Sequence, residues 1–240
     1  MTTHDSTLEG KRAAALKLLA KQRSHVLFVL SNPKAGHEST FREWYRGAYA
    51  RHVREHPNVL NAQQYEQHEV DVTRGRYSRL PFHYLGVYEL SLDGAEQAAA
   101  VIERVAALHG QQAAAEEAAT WLYYAAAERV GRTPIAQPCA LTIAFANGVP
   151  GQESEFREWY ATRHIRHAMN IPALASGQCF ERTQFQRPGA MQAKFATIAI
   201  YEQDDTVEAV LAGLVALPPG TLPFPMLDLS RFTECAYVPV

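Results

Sequence analysis

Short apolar runs alternate with stretches of helical spacing along this chain. Residues 26–31 and 141–146 are mostly apolar without alternation, which predicts strands buried on both faces. Each run is followed by a turn containing Pro and Gly and then by a stretch with helical spacing that includes the pentad FREWY. Pro57 and Pro172 are expected to end these two helices.

The two stretches are copies of one another. Residues 25–57 align with residues 140–172 without a gap, and the FREWY pentads begin at Phe41 and Phe156, 115 positions apart. Ser39 aligns with Ser154, and we expect both to cap their helices. The similarity resumes at 81–90 against 194–203, with the register slipped by two residues. The pattern therefore predicts one structural unit written twice.

Each copy predicts the order strand, helix, strand, strand, helix, strand, which is the ferredoxin-like order. Two such units packed sheet to sheet would cover the apolar face that each sheet leaves bare, so the fold class is α+β. Residues 111–119 fit either helix or loop, and 120–131 is assigned as a strand only because the repeat requires it. The predicted organisation is an N-terminal helical extension (1–24), a first repeat (25–130), a linker (131–138) and a second repeat (139–240).

Composition narrows the class of protein. The net charge is −2 with no run of like charges, which argues against nucleic acid or a membrane surface as a partner. The N-terminal stretch has no uninterrupted apolar segment and predicts neither a signal peptide nor a membrane span. Three cysteines without a CxxC pair predict reduced, buried thiols and a cytoplasmic protein.

FREWY followed by ATRHIRHAMNIPAL resembles the helix of the dimeric α+β barrel superfamily, in particular its EthD-like branch. The resemblance implies a single-chain dimeric α+β barrel with a pocket between sheet and helices for small molecules, often aromatic ones. Members of that superfamily include cofactor-free monooxygenases, dehydratases, cyclases, haem peroxidases and proteins without known activity. Fold alone does not decide among these activities.

The best candidate for chemistry is His164, which lies four residues after Tyr160, so that the two side chains can meet on a helix. A histidine among aromatic residues can stay neutral near pH 7 and exchange a proton. We predict His164 and Tyr160 as catalytic residues. The alternative is a partly buried histidine that donates to a backbone carbonyl.

Further side chains are candidates for substrate contact. Tyr49 occupies the position of His164 in the first copy, so that copy lacks the base and scaffolding is the favoured interpretation there. His52 and His167 occur in both copies, which favours a structural function. The predicted substrate-binding residues are Trp159, Tyr49, Tyr45, His83 and Arg163.

No metal is expected, because neither His52 with His56 nor His164 with His167 has an obvious third ligand. The chain lacks GxGxxG, GxxxxGK[ST], GxSxG and HExxH, and it has no specific haem motif, so no cofactor is predicted. The first hypothesis is a cofactor-independent enzyme of lyase or dehydratase type that acts on a small apolar, aromatic or cyclic substrate, with a homodimer left open. The alternatives are a cofactor-free monooxygenase and a non-catalytic binding or stress-response module. A deep pocket lined by His164 favours an enzyme, and a filled barrel favours the module.

Overall fold

Nine strands carry the apolar runs of the sequence. The structure is a computed structural model and describes residues 24–187, 193–218 and 226–240. The predicted N-terminal helix lies outside these residues. The described strands are β1 (His25–Ser31), β2 (Val59–Gln67), β3 (Tyr84–Leu90), β4 (Ala119–Ala125), β5 (Val130–Gly131), β6 (Leu141–Ala146), β7 (Leu174–Arg182), β8 (Thr197–Gln203) and β9 (Thr233–Pro239).

Eight of these strands close into an antiparallel barrel. The strand order is β4-β1-β3-β2-β9-β6-β8-β7, and β4 pairs with β7 to complete the ring. The strand order is thus β4-β1-β3-β2 on one side and β9-β6-β8-β7 on the other, and the β2–β9 and β4–β7 seams join the two sides. The short strand β5 adds to the outer edge of β7.

The helices lie outside the barrel. Each long helix after the first strand of a half is interrupted by one π-helical stretch. The described helical elements are α1 (Glu38–Trp44), π1 (Tyr45–Tyr49), α2 (Ala50–Arg54), α3 (Ala95–Gly110), α4 (Glu153–Trp159), π2 (Tyr160–His164), α5 (Ile165–Ala168), α6 (Val207–Ala216) and a 3₁₀ turn (Leu229–Arg231).

The barrel interior is filled by side chains. Along β1 and β6, alternate residues point inward and the residues between them point toward the helices. Phe28 and Phe145 meet near the centre with ring centroids 6.1 Å apart, and Trp121 packs against Phe145 at 6.1 Å. The strands are buried on both faces, as the non-alternating pattern predicts. A filled interior is what the non-catalytic alternative predicts, so a site for an enzyme must lie outside the barrel.

Two local predictions about the helices were wrong. Ser39 and Ser154 do not cap them, because the N-cap positions are His37 and Gln152 and neither uses its side chain. The glutamates at the helix starts instead bind the turn that precedes each helix, since Glu153 Oε2 accepts from the Gly151 N–H at 2.9 Å. The equivalent bond in the first half joins Glu38 and Gly36 at 3.0 Å. The π-helical stretches were not predicted.

The two uncertain assignments of the first half, residues 111–119 and the strand that follows them, are resolved by the structure. Residues 111–118 form a loop, and the uncertain strand of the first half exists but is shorter, ending at Ala125. Part of the predicted second hairpin loop (187–192) lies outside the described residues. Cys139, Cys179 and Cys235 are buried thiols, as predicted.

Candidate functional site

A small cavity lies between the outer face of the sheet and the helices of the second half. Its volume is about 60 Å³. We call it the inner cavity. Strands β6, β8 and β9 form its floor, and π2, α5 and α6 form most of its other walls. Its polar lining consists of Thr142, Tyr160, His164, Tyr201 and Glu234.

The π-helical stretch π2 presents two of these side chains together. The rings of Tyr160 and His164 stack with centroids 4.7 Å apart and an interplanar angle of 11°. The sequence prediction that they meet is thus confirmed. Burial, and secondarily the charge of His167, lowers the pKa of His164 to about 3. The imidazole is therefore neutral at any physiological pH.

The buried phenol side chains of Tyr160 and Tyr201 both line the inner cavity. The hydroxyls of Tyr160 and Tyr201 lie close enough to influence each other, and burial first of all raises the pKa of both well above the usual value. Beyond this contact with each other, neither hydroxyl has a hydrogen-bond partner of good geometry among the described residues. Such buried hydroxyls are costly to leave unpaired. A polar group of a bound ligand would satisfy them.

Glu234 is the acidic residue of the cavity. Burial raises the pKa of its carboxyl to about 7, and the nearby charge of Asp71 contributes in the same direction. It forms no ion pair within the part of the chain that the structure describes. A carboxyl with this pKa exchanges protons readily near neutral pH.

A larger depression adjoins the inner cavity. It has a volume of about 450 Å³ and shares Leu214, Phe232 and Glu234 with the inner cavity. We call it the outer pocket. Tyr77 from the first half packs edge-on against Phe232 with centroids 4.9 Å apart. Glu234 and Phe232 therefore lie where the two spaces meet.

The matching region of the first half is filled with large side chains, among them Tyr49 and Tyr88. The strand pairings identify equivalent positions in the two halves. Leu27 pairs with Tyr88, and its equivalent Thr142 pairs with Tyr201. Val29 pairs with Thr120, and its equivalent Ala144 pairs with Glu234. Along the paired helices, the alignment sets Tyr49 against His164 and Val53 against Ala168. Each exchange makes the second half smaller or more polar. The inner cavity exists because the side chains at these positions of the second half leave space that their counterparts in the first half fill.

Several predicted substrate-binding residues lie elsewhere. Tyr45 and Tyr49 are fully buried in the first half and pack on Phe41 and His109, so they reach neither cavity. His83 lies at the surface, where its Nε2 is 2.8 Å from Glu66 Oε1. These three placements do not match the predicted contacts.

The other two predicted contacts belong to the second half. Trp159 packs beside His164, with ring centroids 5.1 Å apart, but is not among the residues that line the inner cavity. Arg163 is exposed and lines neither space. Trp159 thus supports the histidine, and the placement of Arg163 does not match a substrate contact.

The sequence analysis missed Glu234. The one signal for it is a charged residue between Thr233 and Cys235 in an otherwise apolar strand. Its counterpart by strand register is Thr120, which carries no charge. A charge at such a position in a buried strand is uncommon unless it has a function or a partner.

The described residues give little support to a metal or a haem. No group of three or more His, Cys, Asp or Glu side chains among them could hold a metal ion. The inner cavity, at about 60 Å³, is far smaller than the roughly 300–1,000 Å³ of sites for larger ligands. The outer pocket has no histidine, cysteine or methionine in its described lining to serve as an axial ligand, and its tyrosine, Tyr77, packs against Phe232. Neither of these two spaces therefore fits a haem.

The fold recurs in solved structures. Comparison with protein-family models and with curated protein sequences found no match. An anthrone oxidase-like protein superposes with a TM-score of 0.58 at 10% identity, covering 92% of this chain and 93% of its own. A proposed monooxygenase from Fusobacterium nucleatum superposes with a TM-score of 0.56 at 10% identity, covering 90% of this chain and 92% of its own. A mutant chlorite dismutase from Candidatus Nitrospira defluvii superposes with a TM-score of 0.54 at 9% identity, covering 93% of this chain and 94% of its own.

The chain shares its fold with these solved structures. Identities near 10% carry the fold and nothing finer. No helix in the described ranges has the length and apolar character needed to cross a membrane.

Proposed function

We propose that this protein is a cofactor-independent monooxygenase that acts on a small aromatic substrate. The observation that carries the proposal is the asymmetry between the halves. The cavity of the second half is lined by titratable side chains that include the acid Glu234, whereas in the first half Thr120 takes the place of that acid and large side chains such as Tyr49 and Tyr88 fill the matching region. The names of the structural neighbours favour oxygenation over the lyase chemistry expected from the sequence.

Glu234 is the proposed proton acceptor. Its pKa of about 7 matches a base that works near neutral pH, whereas His164, with a pKa near 3, has little tendency to take a proton. The carboxylate removes a proton from an activated C–H of the substrate in the outer pocket. The substrate's oxygen enters the inner cavity past Glu234, where Tyr160, Tyr201 and the neutral His164 stabilise the negative charge that develops on it.

The resulting carbanion then reacts with molecular oxygen. For a methylene group between two aromatic rings, the sum is Ar₂CH₂ + O₂ → Ar₂C=O + H₂O. One oxygen atom enters the product and the other leaves as water, and the substrate itself supplies the electrons. The outer pocket of about 450 Å³ is large enough for a tricyclic molecule, whereas the inner cavity is not.

Anthrone is a suitable test substrate because its central methylene is acidic. We expect the wild-type protein to convert anthrone to anthraquinone above the uncatalysed rate, with one atom of ¹⁸O₂ in the product. The kcat/KM should rise with pH through an apparent pKa near 7, that of the free Glu234. Glu234→Gln should lower it by about 10²- to 10⁴-fold. Wild-type turnover in a folded Glu234→Gln protein would refute the assignment.

Lyase or dehydratase chemistry is the second candidate, and it uses the same base. Both reactions work without a cofactor and start from the same proton abstraction by Glu234. The use of molecular oxygen as a co-substrate therefore distinguishes them. A reaction that proceeds equally under nitrogen and leaves ¹⁸O₂ unused would support the lyase.

Two finer points of ancestry and assembly are also proposals. The gapless alignment and the shared βαββαβ order support two ferredoxin-like repeats from a tandem duplication, with the EthD-like motif kept best at Phe156–Pro172. With both repeats in one chain, the barrel closes without a second copy, so a homodimer would use another surface.

A further inference from the structure

The outer pocket has two chemically different walls. One wall is apolar and comes mainly from α6 and the segments around it, including Leu211, Leu214 and Leu227. The other wall comes from the first half, from the loop between β2 and β3, and carries Arg74 and Arg76. The pocket therefore combines a surface for apolar rings with two positive charges.

The loop that carries the arginines is held in a defined shape. Asp71 accepts hydrogen bonds from the N–H and the hydroxyl of Thr73, at 2.8 and 2.6 Å, and from the N–H of Gly75 at 2.6 Å. Thr233, next to Glu234, donates its hydroxyl to the Ser78 carbonyl at 2.6 Å. The loop is thereby tied both to itself and to the strand that bears the proposed base.

Arg74 adopts an unusual backbone conformation. Its φ is +58°, in the left-handed region that residues other than glycine rarely occupy. Gly75 follows with φ +74°. Such conformations persist where the surroundings impose them, and they are common at binding sites. Here the consequence is that the loop turns tightly and places two arginines on one side of the pocket.

Neither guanidinium is neutralised by the residues that the structure describes. Arg74 and Arg76 form no ion pair among them, whereas the neighbouring Arg79 donates to the Glu69 and His68 carbonyls. Asp71 is engaged by its own loop. The only acid that lines the pocket in the described ranges is Glu234, which is partly protonated near neutral pH.

We propose that the outer pocket binds aromatic molecules that carry an anionic group, such as a carboxylate or sulfonate, with Arg74 and Arg76 holding the anion. The rings lie against the leucine wall and reach toward Glu234. This inference rests on the proposed function, because it names the substrate class of the same site. The first half thus supplies the specificity of a site whose chemistry lies in the second half.

A pair of fluorescent probes separates charge from apolar contact. 1-Anilinonaphthalene-8-sulfonate and N-phenyl-1-naphthylamine share the same rings and differ in the sulfonate. Arg74→Gln/Arg76→Gln should weaken binding of the sulfonate by about 5- to 20-fold and binding of the neutral amine by less than about 2-fold. The salt dependence of sulfonate binding should fall as well.

Arg46→Gln/Arg51→Gln is the matched control. Both residues are exposed on the first-half helix and lie outside the described lining of the pocket, so this variant removes the same net charge elsewhere. It should leave both probes unchanged. Equal losses for the two probes in the Arg74/Arg76 variant, or an equal loss of sulfonate binding in the control, would overturn the anion site.

The binding assay is independent of turnover. Glu234→Gln should keep its preference for the sulfonate, since it retains both arginines. If anthrone is not oxidised but the probe preference depends on Arg74 and Arg76, the anion site stands and the proposed reaction falls. If anthrone is oxidised and the preference is absent, the reaction stands and the anion site falls.

Discussion

Glu234 and His164 line one cavity, but burial moves their pKa values in opposite directions. The pKa of the carboxyl rises to about 7 and that of the imidazole falls to about 3. Both changes have the same cause, since desolvation favours the neutral form of each group. Below pH 7 the protonated Glu234 and the neutral His164 therefore leave this lining largely without charge.

The raised pKa of Glu234 makes a prediction for stability. In the unfolded chain the carboxyl has its ordinary pKa of 4.5, so between pH 4.5 and about 7 the folded state holds a proton that the unfolded state lacks. The free energy of unfolding should therefore fall as pH rises through this window, by at most about 3 kcal/mol. Urea unfolding of the wild type and Glu234→Gln at pH 5 and pH 8 measures this. The variant should lose less stability over that interval, and equal losses would contradict the placement of Glu234.

The paired positions Tyr49 and His164 make a second prediction. His164→Ala should reduce turnover strongly, by about 10²-fold, because the imidazole both lines the inner cavity and stacks on Tyr160. Tyr49→Phe should keep most of the turnover, since Tyr49 is buried in the first half away from both spaces. Thermal unfolding must be compared in the same preparations, because loss of a packed histidine can cost about 1–3 kcal/mol. An inactive but folded Tyr49→Phe protein would show that the reaction takes place in the first half and not in the second.

At the scale of elements, the segment between the halves is fixed by a close backbone contact. Gly131 in β5 has φ +95°, and a Cβ at this position would lie 2.3 Å from the Ala175 carbonyl oxygen. Arg129 and Arg132 on either side reach Glu202 and Asp204. The segment is thus held against β7 and β8.

Gly131→Ala should destabilise the protein by about 2–4 kcal/mol, because a strained conformation adds to a clash with backbone. Gly36→Ala is the matched control, since Gly36 also has a positive φ, +79°, but nothing lies within 4 Å of its added Cβ. It should cost only about 1 kcal/mol. Chemical denaturation of both variants tests this, and equal losses would show that the contact with Ala175 is unimportant.

Local elements were predictable to different degrees. The strands β1 and β6 follow from continuous apolar runs, because both of their faces are buried, and the FREWY helices follow from helical spacing. The π-helical stretches do not, since π1 and π2 differ from an α-helix by a single shift in hydrogen bonding that has no residue signature. The position of Glu234 against Tyr201 also required three elements that are distant in sequence, which no local pattern contains.

At the scale of the whole molecule, the two sides share one interior. Phe28 of the first half and Phe145 of the second touch inside the barrel, and Tyr123 bonds through its hydroxyl to the Phe195 carbonyl at 3.2 Å. The β2–β9 and β4–β7 seams add backbone hydrogen bonds between the sides. Neither half can open without exposing the aromatic interior of the other.

Unfolding should therefore be a single cooperative transition. Differential scanning calorimetry should give equal calorimetric and van't Hoff enthalpies, as for one cooperative unit. Fluorescence of Trp121, inside the barrel, should change together with the far-ultraviolet circular dichroism. Two resolved transitions would show that the repeats fold as separate domains.

The position of β9 also affects how the chain is made. This strand lies between β2 and β6 in the barrel, yet it is the last of the described strands in chain order. During synthesis on the ribosome, β2 and β6 therefore wait with unpaired edges until residues 233–239 emerge. Exposed strand edges and aromatic surface favour aggregation of incomplete chains. The same late strand delivers Glu234, so a chain that has not yet reached residue 234 lacks both the strand that joins β2 to β6 and the proposed base.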